Sequence, residues 1–120
     1  MKTTTKITGI SKDDLENLFI TASYGSDWLH VRNFCDKYQM CDYYAEDETD
    51  FYGELPHEWN DEDECMVYTI TIGDIEKGIA KCIDMGMNAA WHLIYEPEQL
   101  DMYEANAIMQ VVVFGEEVYG

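Results

Sequence analysis

The sequence predicts an α+β fold, with about three helices packed on a small antiparallel β-sheet. Three observations carry that reading. Stretches 11–24 and about 99–114 repeat apolar side chains at helical spacing. Stretch 66–72 is rich in β-branched residues and partly alternates, as a strand does. Hydrophobic residues make up 47% of the 120, which is enough for one packed interior, and the chain is too short for a second full core. The expected organisation is therefore a single domain over 1–120, with no internal repeat and no linker.

The elements follow in order. In 11–24, Ser11 suits an N-cap, and Asp13 and Asp14 sit where the helix dipole favours anions. Leu15, Leu18, Phe19 and Ala22 form its apolar stripe, and Gly25 is expected to close it. In 28–34, Trp28, His30, Arg32 and Phe34 alternate with Leu29, Val31 and Asn33, which predicts a strand. Segment 36–64 has little periodicity but carries six aromatics, Tyr38, Tyr43, Tyr44, Phe51, Tyr52 and Trp59, among its acids. It is expected to be ordered by docking those rings on the core, with the acids outward. After the 66–72 strand, Gly73 opens a helix to about 85, with Ile75, Ile79, Cys82 and Ile83 inward. Residues 90–95 fit a strand or a helix extension, stopped by Pro97. The last helix, about 99–114, turns Met102, Ala105, Ile108, Met109, Val112 and Val113 to the core, and Gly115 closes it.

Charge is the outlier. Asp and Glu number 25 against 7 Lys and Arg, for a formal net charge of −18. Self-repulsion at that level opposes compaction. Nucleic-acid binding needs Lys and Arg to neutralise phosphates, so direct binding of DNA or RNA is excluded, as is an anionic membrane surface. Favoured partners are basic proteins or cations. The acids concentrate in Asp42, Glu46, Asp47, Glu48, Asp50, Glu54, Glu58, Asp61, Glu62, Asp63 and Glu64, and no Lys or Arg lies between Lys37 and Lys77. These eleven, with Tyr43, Tyr44, Tyr52 and Trp59 as aromatic anchors, are the candidate partner-binding residues, because Tyr and Trp dominate interface hot spots.

Other chemistries fit less well. The run Glu46-Asp47-Glu48-Thr49-Asp50-Phe51-Tyr52-Gly53 lacks calcium-loop spacing. His30, Cys35, Cys41 and Cys65 would make a zinc set on paper, but there is no Cys-x-x-Cys, and Cys82 falls on an apolar helical face. No cofactor or dedicated metal is expected. His30, His57 and His92 have no nucleophile motif beside them, and Ser23-Tyr24-Gly25-Ser26 is not Gly-x-Ser-x-Gly. The chain reads as a non-enzyme. The tryptophans Trp28, Trp59 and Trp91 read as core or rim residues and not as a cage for a quaternary ammonium. Met1 to Lys6 leads into no apolar signal core, and no run of 18 apolar residues occurs. The expected compartment is the cytoplasm, with reduced thiols.

Both ends carry a resemblance. Ile7-Thr8-Gly9-Ile10-Ser11-Lys12-Asp13-Asp14-Leu15, continuing through Thr21-Ala22 to a glycine-containing turn and an aromatic, forms one part. Ala105-Asn106-Ala107-Ile108-Met109-Gln110 and Phe114-Gly115-Glu116-Glu117-Val118-Tyr119-Gly120 form the other. Over about a third of its length the chain resembles a family of small uncharacterised phage and prophage proteins, with motifs that read as caps and a helix end. Relatives carry paired glycines where this chain has Tyr24-Gly25. The resemblance implies a phage context, and DNA-mimicking anti-restriction and anti-CRISPR inhibitors are similar in size and charge. The function expected is an acidic nucleic-acid mimic that occupies a basic DNA- or RNA-binding cleft of a host defence complex. A phage structural or adaptor protein and a metal-dependent enzyme are the alternatives. The oligomeric state is left open.

Overall fold

The computed structural model describes residues 9–24, 28–34, 37–51 and 53–119. Gly25, Ser26, Cys35, Tyr52, the terminal residues 1–8 and 120, and the side chains of Asn33 and Phe34 lie outside the described residues. Within them the chain runs α1 (Lys12–Tyr24), β1 (Leu29–Phe34), β2 (Lys37–Asp42), β3 (His57–Asn60), β4 (Cys65–Ile70), α2 (Ile72–Asp84), α3 (Asn88–Tyr95), a 3₁₀ turn (Pro97–Gln99) and α4 (Met102–Phe114). The class is α+β, and the described residues hold four α-helices instead of about three.

Local chemistry explains the helix starts. The Asp14 amide donates to Ser11 Oγ at 3.1 Å and caps α1. At α2, Thr71 Oγ1 accepts from the Asp74 amide, and the Asp74 carboxylate accepts from the Thr71 amide. This reciprocal box ends the strand at Ile70 and starts the helix before Gly73, which corrects the expected 66–72 strand. Asp101 and Glu104 form the same box at α4, so that helix begins at Met102 and not near 99. Gly115, at φ +82°, closes α4 in the left-handed region. Residues 90–95 are helix, because Ala89, Ala90 and Leu93 recur at helical spacing and bury one face.

Segment 36–64 departs most from expectation, since it contributes two strands, β2 and β3. The four strands are antiparallel throughout, in the order β1-β2-β4-β3. Leu29 sits opposite Asp42, Tyr38 opposite Ile70, and His57 opposite Tyr68. That register sends Tyr38, Met40, Met66, Tyr68 and Ile70 into the main core, where they meet Leu15, Leu18, Ile75, Ile79, Ile108 and Met109. Each large apolar side chain so buried contributes about 1.5–3 kcal/mol. The alternate positions form a small separate cluster, Cys41, Cys65 and Val67, on the outer face of the sheet. Exposed His30, Arg32 and Glu58 occupy the same face.

Helix α4 is the central post of the helical layer, packed against α1, α2 and α3. Gly78 lets α2 approach it, for a Cβ there would lie 2.5 Å from Val112 Cγ2. Gln110, buried on α4, accepts from the Val118 and Tyr119 amides at 2.7 Å each. Its amide nitrogen donates to Tyr119 O and Asn106 Oδ1. The C-terminal segment is therefore bound back onto the helix that precedes it. The residues that carried the C-terminal resemblance, Gln110, Gly115, Val118 and Tyr119, all act in this return.

Candidate acidic interaction face

The acids of 42–64 divide by their place on the sheet. Asp42 ends β2 on the core-facing side and is fully buried. Its carboxylate accepts from Tyr119 Oη at 2.8 Å and from the Tyr44 amide at 3.0 Å. Burial pushes its pKa above the ordinary 3.8, while the hydrogen bonds from Tyr119 and from the Tyr44 and Ala45 amides pull it partly back. Asp42 therefore does not point outward as expected and leaves the candidate face. The reason is register: its partner positions, Leu29 and Met66, are both core residues.

The other ten remain at the surface. Glu46, Asp47, Glu48, Asp50 and Glu54 lie in the connection from β2 to β3. Glu58 is on the edge strand β3, and Asp61, Glu62, Asp63 and Glu64 make the turn into β4. All are exposed except half-buried Asp50. Several of these carboxylates also hold their own loops. Asp50 Oδ2 accepts from the Glu46 amide at 2.9 Å. Asp47 Oδ1 accepts from the Thr49 hydroxyl at 2.6 Å and the Thr49 amide at 2.8 Å, which holds Asp47 below the usual carboxylate range. Asn60 Oδ1 accepts from the Asp63 amide at 3.0 Å. Glu64 has φ +52°, so a non-glycine residue occupies the left-handed region and keeps its side chain at a cost of about 1 kcal/mol or more. Among the described residues, ion pairs form at Lys12–Glu16 and His92–Glu104, and none involves these ten acids.

The aromatic expectation holds in part. Tyr38 is buried, and Trp59 is half-buried against the main core. Tyr43 and Tyr44 stay 41% and 51% exposed and so do not dock fully on the core. Tyr44 meets Tyr119 edge-on at 5.2 Å. Phe51 stacks on His57 at 4.5 Å instead of entering the interior.

Two features escaped the sequence. The first is a groove of about 370 Å³ between loop 53–55, α2 and the end of α4, lined by Glu54, Lys77, Lys81, Val112 and Phe114 among others. Among the described residues its ionisable lining groups are Glu54, Asp74, Lys77 and Lys81, and it holds no His, Cys, Ser or Thr. Lys77 and Lys81 were visible as an i, i+4 pair, but nothing local marked the loop that faces them. The second is exposed Trp91 beside Tyr95 on α3. Among the described residues, no group of three or more His, Cys, Asp or Glu side chains converges as a metal site requires. No helix among them is long and apolar enough to cross a membrane. Compared with protein-family models, curated proteins and solved structures, the chain matches none.

Proposed function

We propose that this chain works by occupancy and without catalysis, laying its acidic face in the basic nucleic-acid-binding cleft of a bacterial defence complex. An anti-CRISPR or anti-restriction inhibitor of phage origin, acting in the host cytoplasm, is the specific form of this reading. One observation carries it: ten carboxylates between 46 and 64 face solvent or lie half-buried, and none has a cationic partner among the described residues. Mutual repulsion of these unpaired carboxylates opposes compaction, and a basic partner would offset it.

The spacing suits the target. Each strand of duplex DNA carries one charge per about 3.4 Å of axis, and consecutive residues of a turn have Cα atoms about 3.8 Å apart. Asp61 to Glu64 thus offer a run of charge on the scale of a phosphate strand. The internal hydrogen bonds at Asp47, Asp50 and Asp63 order the loops before binding, which lowers the entropy lost on association. Glu64 keeps a carboxylate where glycine would relieve the backbone, as expected if that side chain is used.

The test is competition. Purified protein should displace duplex DNA from restriction and CRISPR effector complexes at low salt, and the effect should fade as salt rises. The triple variant Glu46→Lys/Asp47→Lys/Glu48→Lys should weaken inhibition by about tenfold or more, since three favourable pairs become repulsive. Unchanged DNA binding by every such complex at low salt overturns the reading.

A further inference from the structure

We propose that Trp91 and Tyr95 form a second, separate docking surface, one that takes an arginine-bearing segment of a partner protein. Helix α3 buries Ala89, Ala90 and Leu93 and leaves these two rings on its other side. They are 55% and 63% exposed. Their centroids lie 4.3 Å apart with the planes inclined by 42°, so they make one continuous aromatic surface. Helical spacing accounts for that contact, since positions i and i+4 share a face. The helix is held in place independently of the rings, because His92 Nδ1 meets the Glu104 carboxylate of α4 at 2.8 Å.

Charge selects the occupant. No Lys or Arg follows Lys81, and exposed Glu96 and Glu98 come directly after Tyr95. Tyr95 is also the last residue of α3, where the carbonyl end of the helix favours cations. The negative faces of the rings add to the same field, and a guanidinium both stacks on such faces and pairs with carboxylates. A second copy of the chain would bring −18 against −18, and an anionic lipid surface would likewise be repelled. A cationic segment is the partner that gains from the rings, the acids and the helix end together. The inference goes beyond the proposed function, for it requires only a basic partner and not one that binds nucleic acid.

The test is calorimetric titration with an arginine nonapeptide and a lysine nonapeptide. Wild type is compared with Trp91→Ala, Tyr95→Ala and the Glu46→Lys/Asp47→Lys/Glu48→Lys variant. Both rings are largely exposed, so each single variant should keep the wild-type circular dichroism spectrum and melting temperature. Each should bind the arginine peptide about tenfold more weakly, which corresponds to about 1.4 kcal/mol. The arginine peptide should bind more tightly than the lysine peptide, and that preference should shrink in both ring variants. The triple variant should retain the preference even where its overall affinity falls. Equal affinity of wild type and ring variants overturns this inference and leaves the acidic-face reading standing. Loss of DNA competition with an intact ring effect does the reverse. Sedimentation showing dimers of wild type that Trp91→Ala dissolves, or ring-dependent binding to phosphatidylcholine vesicles, would assign the surface to another occupant and overturn it equally.

Discussion

Replacing Tyr119 with phenylalanine removes one hydroxyl and leaves the ring among Trp28, Tyr44 and Phe114, with centroids 4.8, 5.2 and 5.7 Å away. The hydroxyl donates to buried Asp42 at 2.8 Å. A hydrogen bond to an ionised group contributes about 1.5–3 kcal/mol, and the half-exposed position of Tyr119 points to the lower end, about 1.5 kcal/mol. Unfolding entropy of about 2.1 cal/mol/K per residue gives about 250 cal/mol/K for this chain, so the melting temperature should fall by about 6 °C at pH 7. The pH dependence supplies a sharper check. Burial holds Asp42 above its ordinary 3.8, so the folded state keeps this proton more tightly than the unfolded chain. Stability contributed by this group therefore falls as pH rises from about 3.8 through the folded value. Tyr119 opposes that fall by stabilising the carboxylate, and the variant loses the opposition. Its deficit should be largest at neutral pH and shrink toward pH 4, where the carboxyl is increasingly protonated. Paired urea or thermal melts of wild type and variant at pH 7 and pH 4 measure this, with the shared titration of the other acids cancelling at each pH. A deficit below about 2 °C at pH 7, or one of equal size at both pH values, refutes the account.

Four further outcomes are expected. Gly78→Ala gains up to about 1 kcal/mol of helix propensity but forces a Cβ to 2.5 Å from Val112 Cγ2 and 2.6 Å from Val112 Cα, so urea denaturation should show a net loss of about 2 kcal/mol. Gln110→Leu strands the Val118 and Tyr119 amides, at about 1–3 kcal/mol each when buried, and hydrogen exchange at these two amides should rise well above its rate in wild type. Burial pushes the Cys65 and Cys82 thiols up to about 12, which leaves about one part in 10⁴ as thiolate at pH 8. Alkylation followed by peptide mapping should therefore find both unmodified in native protein and both labelled in denaturant. Finally, raising salt from 0.05 M to 0.5 M shortens the Debye length from about 14 Å to about 4 Å, and the melting temperature should rise as carboxylate repulsion is screened.

Helices α1, α2 and α4 were legible because their information is local. Leu15, Leu18, Phe19 and Ala22, then Ile75, Ile79 and Cys82, repeat at the helical period, and Ser11 stands one residue ahead of α1. The capping boxes at Thr71 and Asp101 are equally local, but the β-branched run through Ile72 overlaps the first, and the turn Pro97–Gln99 lies just ahead of the second. Strands β2 and β3 were not legible. β2 reads Lys-Tyr-Gln-Met-Cys-Asp and β3 only His-Glu-Trp-Asn, too short and too polar to stand out from a loop. Their strand character comes from pairing with β4, whose neighbours on both sides supply the hydrogen bonds.

The acidic character of the chain was determined by sequence alone, together with its concentration in 42–64. What only the tertiary structure decided is which of those acids belong to the surface. Asp42 and Glu46 are the same kind of residue in the same acidic stretch, but one is fully buried under Tyr119 and the other faces water. A strand turns alternate side chains to opposite faces, so a shift of one residue in the pairing of β2 with β4 would exchange inside for outside. That register is set by the whole sheet and the helices packed on it, and no local pattern around Asp42 encodes it.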